Sequence, residues 1–303
     1  MKKNIAITAS TFGKHSRLPI ELLEKKGYSI KMNPYGRTMK KEELLDLCKD
    51  CRGIVAGTEN YDEGVLKELT ETKVISRCGT GTDSVDIKAA GKLGISVRNT
   101  PDAPTDAVAE LTVALILDCL RQVSRTDRLI RKGVWEKPMG RLLKDKTVGI
   151  IGLGRIGKKV AMLVKAFGCR VIAYDISNVG CDAGIEQVEM DRLLNEQDIL
   201  TIHVPKSGAG YLIDKTAVSI MKKGSILINA ARGGLVDEKA LFDALSSGHI
   251  SFAGLDVFEN EPYKGPLLGL DNVVMTSHIG SYAVEARIGM ELQSVNNLLE
   301  ILE

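Results

Sequence analysis

The chain alternates short apolar runs with longer stretches in which apolar residues recur every three or four positions. Residues 3 to 98 carry five such runs: Asn4–Thr8, Tyr28–Met32, Gly53–Gly57, Val74–Arg77 and Ile95–Arg98. Amphipathic segments at about 17–26, 41–50, 62–70 and 84–93 separate them. Short β-branched runs bounded by turn residues predict buried strands, and 3.6-residue periodicity predicts helices. A long helical pattern then extends from Thr105 to Lys132 and stops at Gly133. From Lys146 the alternation resumes, with strands at Lys146–Ile151, Arg170–Tyr174, Ile199–Val204, Ser225–Asn229, Phe252–Val257 and Val273–Thr276. A last amphipathic segment, Tyr282–Leu302, predicts a helix that returns to the first half. Alternating strands and helices with short connections imply parallel sheets covered on both faces. The expected fold is α/β: two doubly wound parallel-sheet lobes, with residues 100–281 inserted in a lobe formed by residues 1–99 and completed by 282–303.

One turn of the inserted lobe carries chemistry. The strand ending at Ile151 runs into Gly152-Leu153-Gly154-Arg155-Ile156-Gly157, and helical periodicity follows from Lys158 to Phe167. A strand, a G-x-G-x-x-G turn and a helix in that order form the dinucleotide fingerprint. Gly152 makes the tight turn, Gly154 holds no side chain against a pyrophosphate, and Gly157 lets helix and strand pack closely. The diphosphate would rest on the free N–H groups where the helix starts, at Arg155 and Ile156. The next strand ends in Asp175, about 20 residues beyond the glycines, where a carboxylate accepts bonds from the ribose hydroxyls. That carboxylate repels a 2′-phosphate, and Ile176, Ser177 and Asn178 supply no arginine to receive one. The expected cofactor is NAD, bound to a Rossmann lobe; the other lobe, without a fingerprint, is expected to be flavodoxin-like and to bind substrate.

Composition removes other classes. A chain of 303 residues with 44% hydrophobic and 26% charged residues has the make-up of a globular protein with ample core. A formal charge of +2 without a basic block argues against nucleic acid. Behind Lys2-Lys3 the apolar stretch is only Ile5-Ala6-Ile7, which predicts a first strand and not a signal sequence, and no run reaches membrane-spanning length. Six cysteines without paired spacing fit the reduced thiols of a cytoplasm. Cys48 and Cys51 form a C-x-x-C, but no second pair or histidine cluster accompanies them, so no metal is expected.

Ligands of open parallel sheets bind beyond the carboxyl ends of the strands. There, Ser225–Asn229 runs into Ala230-Ala231-Arg232, Phe252–Val257 into Phe258-Glu259-Asn260-Glu261-Pro262, and Val273–Thr276 into Ser277-His278-Ile279-Gly280. An arginine, a carboxylate and an imidazole at one sheet end suit hydride transfer to a 2-oxo acid. Arg232 can grip a carboxylate with its planar fork and polarise the neighbouring carbonyl. His278 can donate a proton to the oxygen as hydride reaches carbon, and remove it in reverse. Glu261 would fix the histidine tautomer through the other ring nitrogen. Glu259 competes for that role, but Pro262 imposes a bend that would aim Glu261 inward.

These segments resemble the D-isomer-specific 2-hydroxyacid dehydrogenase family, which includes phosphoglycerate, hydroxypyruvate and glyoxylate enzymes. The similarity runs from about Gly53 to the end and is concentrated in Gly149–Gly157, Asn229–Asp237, Asp256–Pro262 and His278–Gly280. The resemblance implies substrate binding by Arg232, a histidine relay through Glu261 and acid–base catalysis by His278. It places Ala230, Ala231, Asp256, Gly280 and the strand end His203-Val204-Pro205 beside the cofactor, with His203 packing and not catalysing. It assigns Cys78-Gly79-Thr80-Gly81 to the substrate carboxylate, through backbone N–H groups that glycine leaves open to approach. Cys78 beside that loop would make the enzyme sensitive to thiol reagents. Ser277 stands where many relatives have proline. The stretch Gly57–Glu63 has no basic residue where phosphoglycerate enzymes carry arginines, although Lys14, Arg17, Arg77 and Arg98 lie in the same lobe. The chain ends at Glu303 without room for the regulatory domain of some phosphoglycerate enzymes, which suggests a short form. The resemblance implies an NAD-dependent enzyme most similar to 3-phosphoglycerate dehydrogenase, with hydroxypyruvate or glyoxylate reduction as the alternative. It also implies a homodimer through the nucleotide lobe, in contact around the Thr105–Lys132 helix and Trp135. An NAD(H)-sensing binding protein, like the related corepressors, is the reading from another class; formate dehydrogenases differ by a glutamine where Glu261 stands.

Overall fold

The computed structural model describes residues 4–177, 184–206, 208 and 210–303; Asn178, named above, lies outside them. The chain divides into two compact units, Met1–Thr105 with Ser281–Glu303, and Asp106–Gly280.

In the first unit, β1 (Asn4–Ile7), β2 (Ser29–Met32), β3 (Gly53–Ala56), β4 (Val74–Arg77) and β5 (Ser96–Arg98) form a parallel sheet in the order β2-β1-β3-β4-β5. The helices α1 (Leu18–Lys25), α2 (Lys41–Cys48), α3 (Glu63–Glu68) and α4 (Ile87–Lys92) connect them. Successive strand residues face opposite sides, so Ile5, Ile7 and Val55 enter one core, and Ala6, Ile54 and Ala56 the other. The first of these cores is closed by the last helix, α11 (Val284–Leu302), through Met290, Val295 and Leu298. Cys48 and Cys51 are fully buried in the second. Burial pushes the Cys48 thiol well up and the Cys51 thiol to about 11, so both are core residues.

The second unit opens with α5 (Thr105–Arg121) and α6 (Val123–Arg131). The sequence pattern predicted one helix here; the chain breaks at Gln122, whose φ is +54°. Asp118 Oδ1 takes the Ser124 N–H at 2.8 Å, and the freed Leu120 carbonyl accepts the Arg141 N–H at 2.9 Å. Beyond the break α6 buries no residue, so its apolar periodicity belongs to a surface. There follow β6 (Thr147–Ile151), α7 (Arg155–Ala166), β7 (Arg170–Tyr174), β8 (Ile185–Gln187), α8 (Met190–Glu196), β9 (Ile199–Ile202) and α9 (Lys215–Ile220). The unit closes with β10 (Ser225–Asn229), α10 (Glu238–Ser246), β11 (Ile250–Leu255) and β12 (Val273–Met275). Seven parallel strands lie in the order β12-β11-β10-β9-β6-β7-β8. The reversal of order falls between β6 and β9, where a doubly wound sheet receives its nucleotide. The edge strand β8 escaped the sequence reading because it has three residues and only one strong apolar side chain, Ile185.

Candidate active site

The glycine turn sits at that reversal. Gly152 has a φ of +95°, and a Cβ there would stand 2.6 Å from the His203 carbonyl oxygen. A Cβ on Gly157 would fall 1.9 Å from the Gly152 oxygen, whereas one on Gly154 would meet nothing within 4 Å. Two glycines are therefore required by packing, and the third faces open space. Gly154 is also the N-cap of α7 and provides no side-chain cap. A helix start of 12 residues without a cap, under an open glycine, fits a diphosphate on the N–H groups at Arg155, Ile156 and Gly157. Asp175 stands at the end of β7, its Oδ2 accepting the Leu153 N–H at 2.7 Å and its Oδ1 the Ser177 N–H at 2.9 Å. The carboxylate is thereby fixed against the glycine turn, where a ribose would meet it.

His203 lies beyond β9 with Val204 and Pro205. Its Nε2 is 2.9 Å from Thr201 Oγ1, and its buried Nδ1 has no hydrogen-bond partner among the described residues. Burial pushes its pKa down to about 3, so the ring is neutral near pH 7 and packs behind the glycine turn.

Three neighbouring strand ends, β10, β11 and β12, carry Arg232, Glu261 and His278. Asn229, buried at the end of β10, closes the first turn: its Oδ1 takes the Ala231 N–H and its Nδ2 donates to the Arg232 carbonyl at 2.9 Å. Arg232 Nη1 donates to the Ala231 carbonyl at 2.7 Å. The next residue, Gly233, presses on the loop after β11, where a Cβ would fall 1.8 Å from the Phe258 oxygen. That loop contains a cis Glu261–Pro262 bond and a stack of Phe258 on Tyr263 with centroids 4.5 Å apart. Glu261 Oε1 accepts the Phe258 N–H at 3.1 Å, and Oε2 lies 2.8 Å from His278 Nδ1. The Glu259 carboxylate turns elsewhere, bonded to the Tyr211 hydroxyl and with its Oε1 accepting the Glu238 N–H at 3.5 Å. The residue beside His278 is thus Glu261.

His278 has a φ of +56°, a conformation that costs a non-glycine residue of order 1–3 kcal/mol. Asp256 offsets it. Its carbonyl accepts the His278 N–H at 2.9 Å, and its buried carboxylate accepts Thr276 Oγ1 at 2.6 Å and the N–H groups of Ile279 and Gly280 at 2.8 Å each. Asp256 and Gly280 therefore shape the histidine loop, and Ala230 begins the Arg232 turn. Thr276 is a contributor that the sequence reading did not single out, since a threonine at a strand end carries no signal by itself. A cavity of about 680 Å³ adjoins the pair, lined by Glu261 and His278 with Phe258, Tyr263, Leu268 and Met275.

In the first unit the loop after β4 is partly committed. The Cys78 N–H donates to Ala56 O, and the Gly79 N–H is shared between Arg77 O and Thr100 Oγ1 at 2.8 Å. Gly79 has a φ of +153° and lies on the Arg77 guanidinium, which donates to the Cys78 carbonyl. Among the described residues the N–H groups of Thr80 and Gly81 have no such acceptor. The Cys78 side chain is buried, and burial holds its thiol up. The expectation of a reagent-sensitive thiol fails on this point, because the reactive thiolate is the disfavoured form.

A doubly wound sheet with an uncapped glycine turn at its reversal is the architecture of a dinucleotide-binding lobe. The comparisons agree. Residues 113–280 match the NAD binding domain of the D-isomer specific 2-hydroxyacid dehydrogenases. Hydroxypyruvate reductase from Thermotoga maritima is 39% identical over 264 residues, covering 84% of this chain and 86% of that protein. D-3-phosphoglycerate dehydrogenase from Methanocaldococcus jannaschii is 42% identical over 259 residues, 82% of this chain but 49% of that protein, so the chain spans about half of that relative's length. A crystal structure of a glyoxylate reductase from Paecilomyes thermophila has a TM-score of 0.91 and 31% identity, covering 100% of this chain and 96% of that one. The chain belongs to the D-isomer specific 2-hydroxyacid dehydrogenase family.

Proposed function

We propose that the protein interconverts a small D-2-hydroxy acid and its 2-oxo acid, with His278 as the acid–base residue. Bound NAD supplies the hydride acceptor, or in reduced form the donor. The observation that carries the reading is the 2.8 Å contact between His278 Nδ1 and Glu261 Oε2 at the carboxyl end of the nucleotide sheet. It commits Nδ1 to the carboxylate and leaves Nε2 to give a proton to the carbonyl oxygen, or to take it from the hydroxyl. Arg232 holds the substrate carboxylate and polarises the adjacent carbonyl. Within the first unit, the N–H groups of Thr80 and Gly81, with the Cys78–Gly79 backbone shaping their turn, are suited to bind a carboxylate.

The relatives' names give three substrate classes: 3-phosphoglycerate, hydroxypyruvate and glyoxylate. Asp175 selects NAD over NADP by the repulsion argued above. The exposed apolar side chains Trp135, Met139 and Leu142, the last of them 69% exposed, support a homodimer formed through the second unit. No helix among the described residues is long and apolar enough to cross a membrane. The described cysteines are all free, which supports a reducing, cytoplasmic setting.

The test is NADH oxidation against 3-phosphohydroxypyruvate, hydroxypyruvate, glyoxylate, pyruvate and branched 2-oxo acids. Turnover of at least one, with kcat/KM above about 10⁴ M⁻¹s⁻¹, is expected. Tight NADH binding with no turnover would favour the redox-sensing scaffold.

A further inference from the structure

Within the second unit, the loop that carries Arg232 is fastened to the loop that carries Glu261 by two further carboxylates. Beyond Arg232 the chain turns through Gly233-Gly234 toward α10, whose first residue is Glu238. Glu238 Oε1 accepts the Glu259 N–H at 2.7 Å, and Glu259 Oε1 in return accepts the Glu238 N–H at 3.5 Å. The Tyr211 hydroxyl, from the segment before α9, donates to the Glu259 carboxylate.

The clasp closes on one peptide unit, Phe258–Glu259. Glu238 holds its N–H, while Gly233 crowds its oxygen, from which a Cβ would stand only 1.8 Å away. The same segment carries the histidine relay. The Phe258 N–H donates to Glu261 Oε1 at 3.1 Å, and Glu261 Oε2 lies 2.8 Å from His278 Nδ1. The start of α10 does not need Glu238 as its cap. Asp237 Oδ1 already accepts the Lys239 and Ala240 N–H groups at 3.0 Å each, so the Glu238 carboxylate is free to bond outward. Nor does stability alone favour the arrangement. Glu238 is half-buried, and burial pushes its carboxyl up, against the Glu259 N–H bond and together with the Glu259 charge.

We propose that Glu238 is a positioning residue of the reaction. It fixes the Phe258–Glu259 peptide, and through that peptide it aligns Glu261 and His278 with Arg232 on the neighbouring loop. The inference rests on the reading of His278 as the acid–base residue and extends it by one shell. A misplacement of about 1 Å in a reacting group costs up to about a hundredfold in rate, so a backbone anchor at this distance has a kinetic signature.

The experiment measures kcat, KM and NADH affinity for Glu238→Ala and Glu238→Gln with the best 2-oxo acid of the wild-type protein. Alanine has no acceptor for the Glu259 N–H, whereas glutamine keeps one oxygen there. NADH binding stoichiometry counts the folded protein, so kcat is read per folded site. Glu238→Ala should lose at least about tenfold in kcat, with NADH affinity unchanged and KM much less affected. Glu238→Gln should restore the larger part of that loss. Glu238→Asp, one methylene short of the Glu259 N–H, serves if the alanine variant does not fold, and should show the same loss. Wild-type kcat in the alanine or aspartate variant, or a glutamine variant as slow as alanine, would overturn the assignment and leave the dehydrogenase reading standing. No turnover of any 2-oxo acid by the wild-type protein would overturn both.

Discussion

Asp256 holds His278 by the backbone and leaves the imidazole to Glu261. Its carbonyl takes the His278 N–H, and its carboxylate takes the next two N–H groups and the Thr276 hydroxyl. One buried side chain thus keeps the catalytic candidate in a left-handed conformation that it would not adopt unaided. Asparagine has one carbonyl oxygen in place of two carboxylate oxygens and would turn an N–H₂ toward an N–H. Asp256→Asn should therefore lose about 3 kcal/mol of stability and at least about tenfold in kcat, with NADH affinity less affected. Urea unfolding and steady-state kinetics check both; full kcat in this variant would show that the loop holds itself.

The three fingerprint glycines should separate by phenotype. A methyl at Gly157 collides with the Gly152 carbonyl, while a methyl at Gly154 meets no protein atom. Gly157→Ala should cost more than about 2 kcal/mol in unfolding free energy. Gly154→Ala should unfold within about 0.5 kcal/mol of wild type and still lose at least about tenfold in NADH affinity. Equal NADH affinity in Gly154→Ala would mean that the open space is not the diphosphate cradle.

Asp175 offers its carboxylate at the end of β7, held by the Leu153 and Ser177 N–H groups. Asp175→Ala should raise kcat/KM with NADPH and lower it with NADH, narrowing the ratio of the two by about tenfold or more. Titration of both nucleotides by fluorescence separates this from a general loss of folding.

His203 gives a pH signature. Burial holds its folded pKa near 3, below about 6.5 for an exposed imidazole. The unfolded chain binds a proton as pH falls below 6.5 and the folded chain does not, so stability present above that pH is lost on acidification toward 3. Between pH 7 and pH 5 the wild-type protein should lose about 2 kcal/mol more than His203→Gln. Urea unfolding at the two pH values measures it, and parallel losses would mean that the ring is already solvated.

The fold was legible because buried parallel strands are short, β-branched and bounded by turns. Val74–Arg77, Arg170–Tyr174 and Ser225–Asn229 were read to the residue. The break at Gln122 was not, because it depends on the Asp118 side chain and on a carbonyl that bonds Arg141 from a distant segment. The choice between Glu259 and Glu261 was open at the level of spacing, since both follow the same strand; it is decided by the Glu238 N–H and the Tyr211 hydroxyl, which hold the Glu259 carboxylate and leave Glu261 beside His278.

The central claim is proton transfer by His278. The direct measurement is single-turnover reduction of the best 2-oxo acid by NADH in wild type and His278→Ala, with NADH affinity measured in parallel. A loss of at least about a hundredfold in the reduction rate with unchanged NADH binding is the predicted result. A variant that reduces the acid at the wild-type rate would contradict the account and move the proton donor elsewhere.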